Sequence, residues 1–282
     1  MREQDLREPG LTEKEPKRLH FGNIVIDRVD MDGAVERVAA HLAGKREQCF
    51  QVTTPNAQFV QLAKNDASFA AIVHGADLSV ADGVPLVWAS RLLGCPLPGR
   101  VNGTDMMLRL CEEAPKRGWS VYFLGGQPGA AEKSAEVMRA QHPGLKVAGT
   151  DCPPMGFINN PELDAEAVRR IDAAAPDIVF VALGAPKQEV WASTHRHIGA
   201  GVLMGVGGSF EMVAGMAQRA PVWMQRYGLE WMWRLIVEPR RMWKRYLVGN
   251  TYFVMTLVRA LAGRYLAPGR SQAPQGAGGG AE

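Results

Sequence analysis

Several signatures are missing from this sequence, and each gap removes a class of function. Its four cysteines, Cys49, Cys95, Cys111 and Cys152, form no C-x-x-C pair. Neither zinc spacing nor a disulfide framework is present, so buried free thiols in a reducing compartment are expected. No G-x-G-x-x-G or G-x-x-x-x-G-K-[ST] run occurs, which argues against a dinucleotide-binding or P-loop assignment. The opening stretch MREQDLREPGLTEKEPKR mixes acids with bases and has no apolar centre. It does not read as a secretory signal, and a cytoplasmic location is expected. Near the other end, VGNTYFVMTLV (248–258) is free of charge for eleven residues, well short of the ~20 that span a bilayer. No repeat of the solenoid kind is visible.

What remains is a globular composition, 46% hydrophobic and 22% charged, which argues against wholesale disorder and against a multi-span membrane protein. At 282 residues the chain can bury a sizeable core. The net charge of +3 conceals an asymmetry, because Arg219–Arg264 holds nine Lys/Arg against only Glu230 and Glu238. A basic C-terminal segment on a mildly acidic body points to an anionic partner: nucleic acid, phospholipid or diphosphate. Residues 1–18 are charged and Pro-containing, and 267–282 are rich in Gly, Pro and Ala. Both are read as disordered tails.

Between the tails the chain alternates as parallel α/β proteins do. VYFLGG (121–126) is a short apolar run closed by two glycines, followed by a helix that Pro128 opens and Gly144 closes. KVAGT (146–150) predicts a strand, Pro161 to about Ala175 a helix, and DIVFVALG (177–184) a strand. VLMGVGG (202–208) repeats the pattern. Earlier, CFQVTTPN (49–56) leads into a helix through Ala71, and ADLSVADG (76–83) ends that unit with another strand. Strands apolar on both faces imply a Rossmann-like parallel sheet flanked by helices. Their ends carry Thr54, Asn56, Asp82, Gly125, Gly126, Gly184, Gly207 and Gly208, and the crevice beyond strand C-termini is where such sheets bind ligands. Glycines there either admit a phosphate to backbone amides or close tight turns; a single Gly-Gly does not decide.

Asp82 stands out because it follows the apolar LSVA and precedes Gly83, which places a carboxylate at the ligand edge. It can serve as a general base in a partly desolvated cleft, or it can cap the helix that begins near Val84. Its context is a set of polar clusters: Thr54-Pro-Asn56, Arg100-Val-Asn-Gly103-Thr-Asp105, and Ala185-Pro-Lys187-Gln188-Glu189. Thr54 and Asn56 can bond sugar hydroxyls or a uracil edge, Arg100 can neutralise a diphosphate, and Gln188 can do either. Asp164 and Glu166 have D-x-D spacing but sit in a helix read as solvated, and His195 and His197 (THRH), an i, i+2 pair, are read as surface residues. No metal site is expected.

The blocks TPNAQFV, ADGVPLVWAS, RVNGTDM, YFLGG, GAPKQEVW, GVGGSFEMVAG and RAPVWMQRYGLEWMWRLIVEPRRMWKRY occur in this order. With them the sequence, from about residue 20 to 248, resembles the WecG/TagA/CpsF glycosyltransferase family. The resemblance implies an inverting transferase without metal or other cofactor, taking a UDP-sugar donor and extending a polyprenyl-diphosphate-linked sugar. It implies Asp82 as catalytic base, with Thr54, Asn56, Arg100 and Gln188 in the pocket; Asp105, Gly126, Glu189 and Gly208 from the same blocks and strand ends join the substrate-binding set. It implies that Arg234, Arg241 and Arg245 clamp the diphosphates.

The C-terminal block points to a membrane on its own account. Trp223, Trp231, Trp233 and Trp243 are interleaved with Arg226, Arg234, Arg240, Arg241, Lys244 and Arg245, the composition of an interfacial anchor. The alternatives are core-facing aromatics with a solvated arginine face, or nucleic-acid binding, which sparse aromatics elsewhere and the acidic body disfavour. The expected organisation is therefore an α/β glycosyltransferase domain over 19–218 and a C-terminal helical membrane-associating appendage over 219–266. The expected partners are a UDP-sugar, a lipid-linked acceptor and an anionic membrane surface at the inner face of the cell membrane. Nucleic acid is not among them, and a homo-oligomer is compatible with the reading. Two rivals stay open: a nucleotide-dependent enzyme of another class, and a non-catalytic membrane adaptor.

Overall fold

The run Ile178–Ala182 is apolar along its whole length, and all of it is buried. A strand of that composition is stable only at the centre of a sheet covered on both faces. In the computed structural model, which describes residues 18–237 and 239–266, it occupies such a place. In chain order the strands are β1 (Arg18–Phe21), β2 (Ile24–Asp27), β3 (Phe50–Thr53), β4 (Leu78–Ser79), β5 (Ser120–Gly125), β6 (Lys146–Asp151), β7 (Ile178–Ala182) and β8 (Val202–Gly205). The last six form one sheet in the order β4-β3-β8-β7-β5-β6, parallel at every pairing, and β1 and β2 form a separate antiparallel pair.

The helices are α1 (Met31–Ala43), α2 (Ala57–Asn65), α3 (Ala67–Gly75), α4 (Val84–Leu92), α5 (Gly103–Arg117), α6 (Ala130–Gln141), α7 (Pro161–Ala174), α8 (Lys187–Thr194), α9 (Ser209–Val213), α10 (Val222–Arg226), α11 (Glu230–Val237) and α12 (Pro239–Leu266). They cover both sheet faces. On one, Val121, Phe123, Ile178, Phe180, Val202 and Met204 pack with residues of α1, α5 and α6. On the other, the alternate positions Tyr122, Leu124, Val179, Val181 and Leu203 meet Ile171 of α7 and Trp191 of α8. This is the period-two alternation of a strand put to use on two faces. Phe123 stacks against Phe180 and Phe210 at ring centroid distances of 5.6 and 5.3 Å; each buried phenylalanine of this kind stabilises the fold by roughly 1.5–3 kcal/mol.

The expected α/β architecture with a C-terminal helix is present, and three local readings change. The single helix expected through Ala71 is two, because Asp66 turns back to accept from the Ser68 and Phe69 amides at 2.9 and 3.1 Å and so caps α3. The strand read over 76–83 pairs only at Leu78 and Ser79 and is an edge strand. Arg18, counted with the N-terminal tail, opens β1 and pairs with Asp27.

A third cluster joins the two ends of the chain. Phe21, Ile24 and Ile26 of the antiparallel pair pack with Phe59, Phe69, Leu86 and Val87, and α12 adds Phe253 and Leu257. Phe253 lies 5.0 Å from Phe21 between centroids, and Lys64 of α2 sits over the Tyr252 ring at 4.8 Å. α12 thus runs along α2, the helix that Asn56 caps. No helix among the described residues is long and apolar enough to cross a membrane.

Candidate active site

Because all six strands are parallel, their C-terminal ends lie along one edge, and the residues beyond them face one crevice. Asp82 is reached from β4 through buried Val80 and Ala81; the Asp82 amide donates to the Pro55 carbonyl at 2.9 Å, and Val101 donates to Ala81 at 2.9 Å. The chain is therefore fixed on both sides of the carboxylate. Asp82 does not cap α4, whose N-cap is Gly83 with no side-chain bond. Its Oδ1 accepts from Asn102 Nδ2 at 2.6 Å and from the Gly103 amide at 3.1 Å, while Oδ2 receives only a long 3.4 Å contact from Asn56 Nδ2. One oxygen is held at the start of α5, and the other has only the long Asn56 contact.

Burial pushes the Asp82 carboxyl above the usual carboxylate range. The Gly103 amide and the positive charge of Arg234 oppose that rise, and the negative charge of Glu230 adds to it. Glu230 and Arg234 stand at i, i+4 on α11, so one face of that helix bears on the carboxylate. Asn56 holds its own orientation by accepting from the Gln58 amide at 3.0 Å. Thr54 is buried beside the start of α5, within van der Waals reach of Gly103.

Arg100, expected to meet a diphosphate, is paired with acids in this structure. It pairs with Glu230 and with Asp105 at 3.4 Å, while Arg219 pairs with Asp105 and lies 3.8 Å from Glu230. Two arginines and two carboxylates thereby tie α5, the segment before α10, and α11 into one ring beside Asp82. Arg234, exposed, has its guanidinium 3.9 Å from the sulfur of Met212 on α9. Arg241 and Arg245 lie on α12, but their side chains are outside the described residues.

Gln188 and Glu189 turn inward. Gln188 Oε1 accepts from the Gly184 and Gly207 amides, both at 3.0 Å, so one side chain stitches the loops after β7 and β8. Its amide nitrogen donates to Glu189 Oε1 at 2.7 Å, and it crosses Gly205 so closely that no Cβ fits there. Their structural part is to shape the crevice floor. Gly126, at φ +82°, carries the chain past Phe210 and donates to the Ala182 carbonyl at 2.9 Å. Gly208 precedes α9.

Beside those glycines lies a further carboxylate, within the GVGGSFEMVAG block. Glu211 Oε1 accepts from the Gln127 amide at 2.8 Å, whereas Oε2 is buried with no hydrogen-bond partner among the described residues. A buried carboxylate oxygen in that state calls for a donor. The signal in the sequence was its place three residues after the Gly207-Gly208 strand end. Asn102, the closest partner of Asp82, is the N-cap of α5 and accepts from the Thr104 and Asp105 amides.

Two remote readings are corrected. Asp164 is only half-exposed: it accepts from Trp191 Nε1 at 2.7 Å and sits 3.0 Å from His195 Nε2. His195 is consequently no surface residue but is stacked on Trp191 at 4.5 Å; His197 is exposed. All four cysteines are free, Cys49 and Cys111 buried, Cys95 and Cys152 half-buried.

A strand-end aspartate held by asparagines thus shares one sheet edge with glycine-rich strand ends and senses the charge of an arginine on α11. The profile of the glycosyl transferase WecG/TagA/CpsF family matches residues 19–266. The chain belongs to that family. This glycosyltransferase is 34% identical over 207 residues to the N-acetylglucosaminyldiphosphoundecaprenol N-acetyl-beta-D-mannosaminyltransferase of Bacillus spizizenii (strain ATCC 23059 / NRRL B-14472 / W23), covering 73% of this chain and 78% of that protein. It is 30% identical over 220 residues to a protein of the same name from Staphylococcus aureus (strain MRSA252), covering 78% and 83%. All the site residues described above fall inside the span that the family profile matches.

Proposed function

We propose that this glycosyltransferase moves an N-acetylmannosamine-type sugar from a UDP-sugar to an N-acetylglucosaminyl-diphospho-polyprenol, with inversion. The names of its relatives support the sugar and the acceptor. The observation that carries the mechanism is the asymmetry of Asp82, with Oδ1 anchored twice and Oδ2 left with one long 3.4 Å contact. Oδ2 takes the proton of the acceptor hydroxyl as that oxygen forms its bond to the sugar's anomeric carbon. The bond from that carbon to UDP breaks, and the electron pair leaves with the diphosphate. Arginines offset the charge: Arg100 at the sheet edge, Arg234 from α11, and Arg241 and Arg245 from α12.

An apolar groove of about 590 Å³ between α11 and α12, lined by Trp231, Leu235, Trp243, Leu247, Val254 and Met255, suits the first units of the polyprenyl chain. The basic, tryptophan-bearing appendage holds the enzyme on the inner face of the cell membrane as a peripheral protein. The test is a donor screen that follows UDP release with a polyprenyl-diphosphate N-acetylglucosamine acceptor, run with and without EDTA. UDP release should need that acceptor, prefer the N-acetylmannosamine donor and persist in EDTA. Loss in EDTA with rescue by Mg²⁺ would overturn the arginine-only account, and no release with any donor would overturn the assignment.

The orphan oxygen of Glu211 is assigned to a hydroxyl of the donor. Glu211→Gln should raise the donor's Kd by about tenfold, the usual range for losing a hydrogen bond to a charged group. Calorimetric titration with the UDP-sugar checks this, and an unchanged Kd in a folded variant would remove Glu211 from the donor site.

A further inference from the structure

The membrane contact considered so far lies in the appendage, while the exposed face of α4 lies in the body of the enzyme. α4 begins two residues after Asp82. Its residues Leu86, Val87, Ala89 and Ser90 are buried, whereas Trp88, Arg91 and Leu92 face outward at i, i+3 and i+4. Trp88 is 56% and Leu92 53% exposed. Between Asp82 and Arg100 the sequence has a single charged residue, Arg91. A solvated helix face is usually charged; this one presents a tryptophan, a leucine and one base.

Its position decides what that face borders. At one end of α4 the backbone of Gly228, in the turn between α10 and α11, lies against Val84. At the other end Arg264, near the end of α12, reaches the Leu93 carbonyl. α4 is therefore bracketed by the appendage at both ends. The bracketing elements expose apolar side chains of their own, among them Trp223, Ile236, Val254 and Val258, and bases such as Arg240 and Arg259.

We propose that α4 is a second membrane contact, with Trp88 and Leu92 seated among the headgroups and upper acyl chains of an anionic bilayer and Arg91 beside the lipid phosphates. The proposal rests on the membrane reading above and extends it into the catalytic body. The bilayer is favoured over a second copy of the chain by charge: the bordering surface is cationic, so two copies would set like charges together, whereas anionic lipid complements both parts. The consequence is geometric. Trp88 stands about 6 Å along the helix axis from Val84, so a seated α4 fixes Asp82 close above the phosphate plane, where the diphosphate of a lipid-linked acceptor resides.

The test compares wild type, W88S/L92S and V254S/V258S for sedimentation with phosphatidylglycerol vesicles, alongside UDP-sugar titration. W88S/L92S should lower vesicle partitioning by about tenfold, as loss of two interfacial apolar anchors does, and leave the UDP-sugar Kd unchanged. W88F should keep most of the partitioning while losing part of the tryptophan emission that vesicles of brominated phosphatidylglycerol quench; that measurement stands even if W88S/L92S fails to fold. Undiminished partitioning of W88S/L92S, with V254S/V258S impaired, would overturn the α4 contact and leave the appendage reading intact. A wild-type protein that ignores the vesicles would overturn both. If W88S/L92S dissolved a vesicle-free dimer and left partitioning unaltered, the face would belong to a second copy and the proposal would fall.

Discussion

Asp82→Asn is expected to fold normally and to lower kcat by about 10²-fold or more, the usual cost of losing a general base. Asn102 Nδ2 and the Gly103 amide can still donate to the remaining oxygen, so the geometry of the site should persist while its basicity goes. The pH dependence follows from the direction of the shift. Burial raises the Asp82 carboxyl above its ordinary range, and the base acts only when ionised. The acid limb of kcat/KM should therefore lie above the ~4 of an unperturbed aspartate. The same shift has a stability counterpart. A carboxyl with a raised folded pKa adds stability below its unfolded pKa, and that increment is lost as pH climbs through the folded value. At neutral pH the ionised wild type carries this cost and the Asn variant does not. Its Tm should equal or exceed that of wild type at pH 7, and any advantage should vanish below about pH 4. Turnover near wild type in a folded Asp82→Asn protein would remove Asp82 as the base.

Ending the chain before Ala220 is expected to abolish transfer and to weaken the fold. Arg234 would leave, and with it the charge that offsets the departing diphosphate. The removal of α12 also strips Phe253 and Leu257 from the cluster that holds Phe21, Phe59 and Phe69. Deleting one buried phenylalanine side chain costs about 3–5 kcal/mol, which for a chain of this size lowers Tm by roughly 10 °C. Differential scanning fluorimetry and UDP release with a short-chain soluble acceptor check both parts. Arg234→Ala separates them: it should keep the wild-type Tm and still lose most transfer. A truncated protein with full activity and unchanged Tm would show that neither the arginine nor the packing of α12 matters.

The strands were legible because each buried on two faces reads as an unbroken apolar run, as in Ile178–Ala182, and their polar ends named the ligand edge. Asp82, Asn56 and Thr54 could be grouped from sequence for that reason alone. What the residues do to one another was not legible, because the partners are far apart in the chain. Arg100 reads as a free cation until Glu230, 130 residues on, is folded onto it. Gln188 reads as a ligand-binding amide until the Gly184 and Gly207 backbones are seen to occupy it. Asp66 could have been found, since an aspartate followed by Ala-Ser-Phe has the form of a helix cap.

The floor and the roof of the crevice are fastened by different forces. Beneath, the buried Gln188 side chain binds two loops through hydrogen bonds between neutral groups, which salt screens little. Above, α11 is tied to the sheet edge by the half-buried ring of Arg100, Asp105, Arg219 and Glu230. Partly exposed pairs weaken as ionic strength rises, over a Debye length of about 8 Å in physiological salt. Salt therefore acts on this enzyme as a selective solvent of its roof: it loosens the side that carries Arg234 and spares the side that Gln188 fastens.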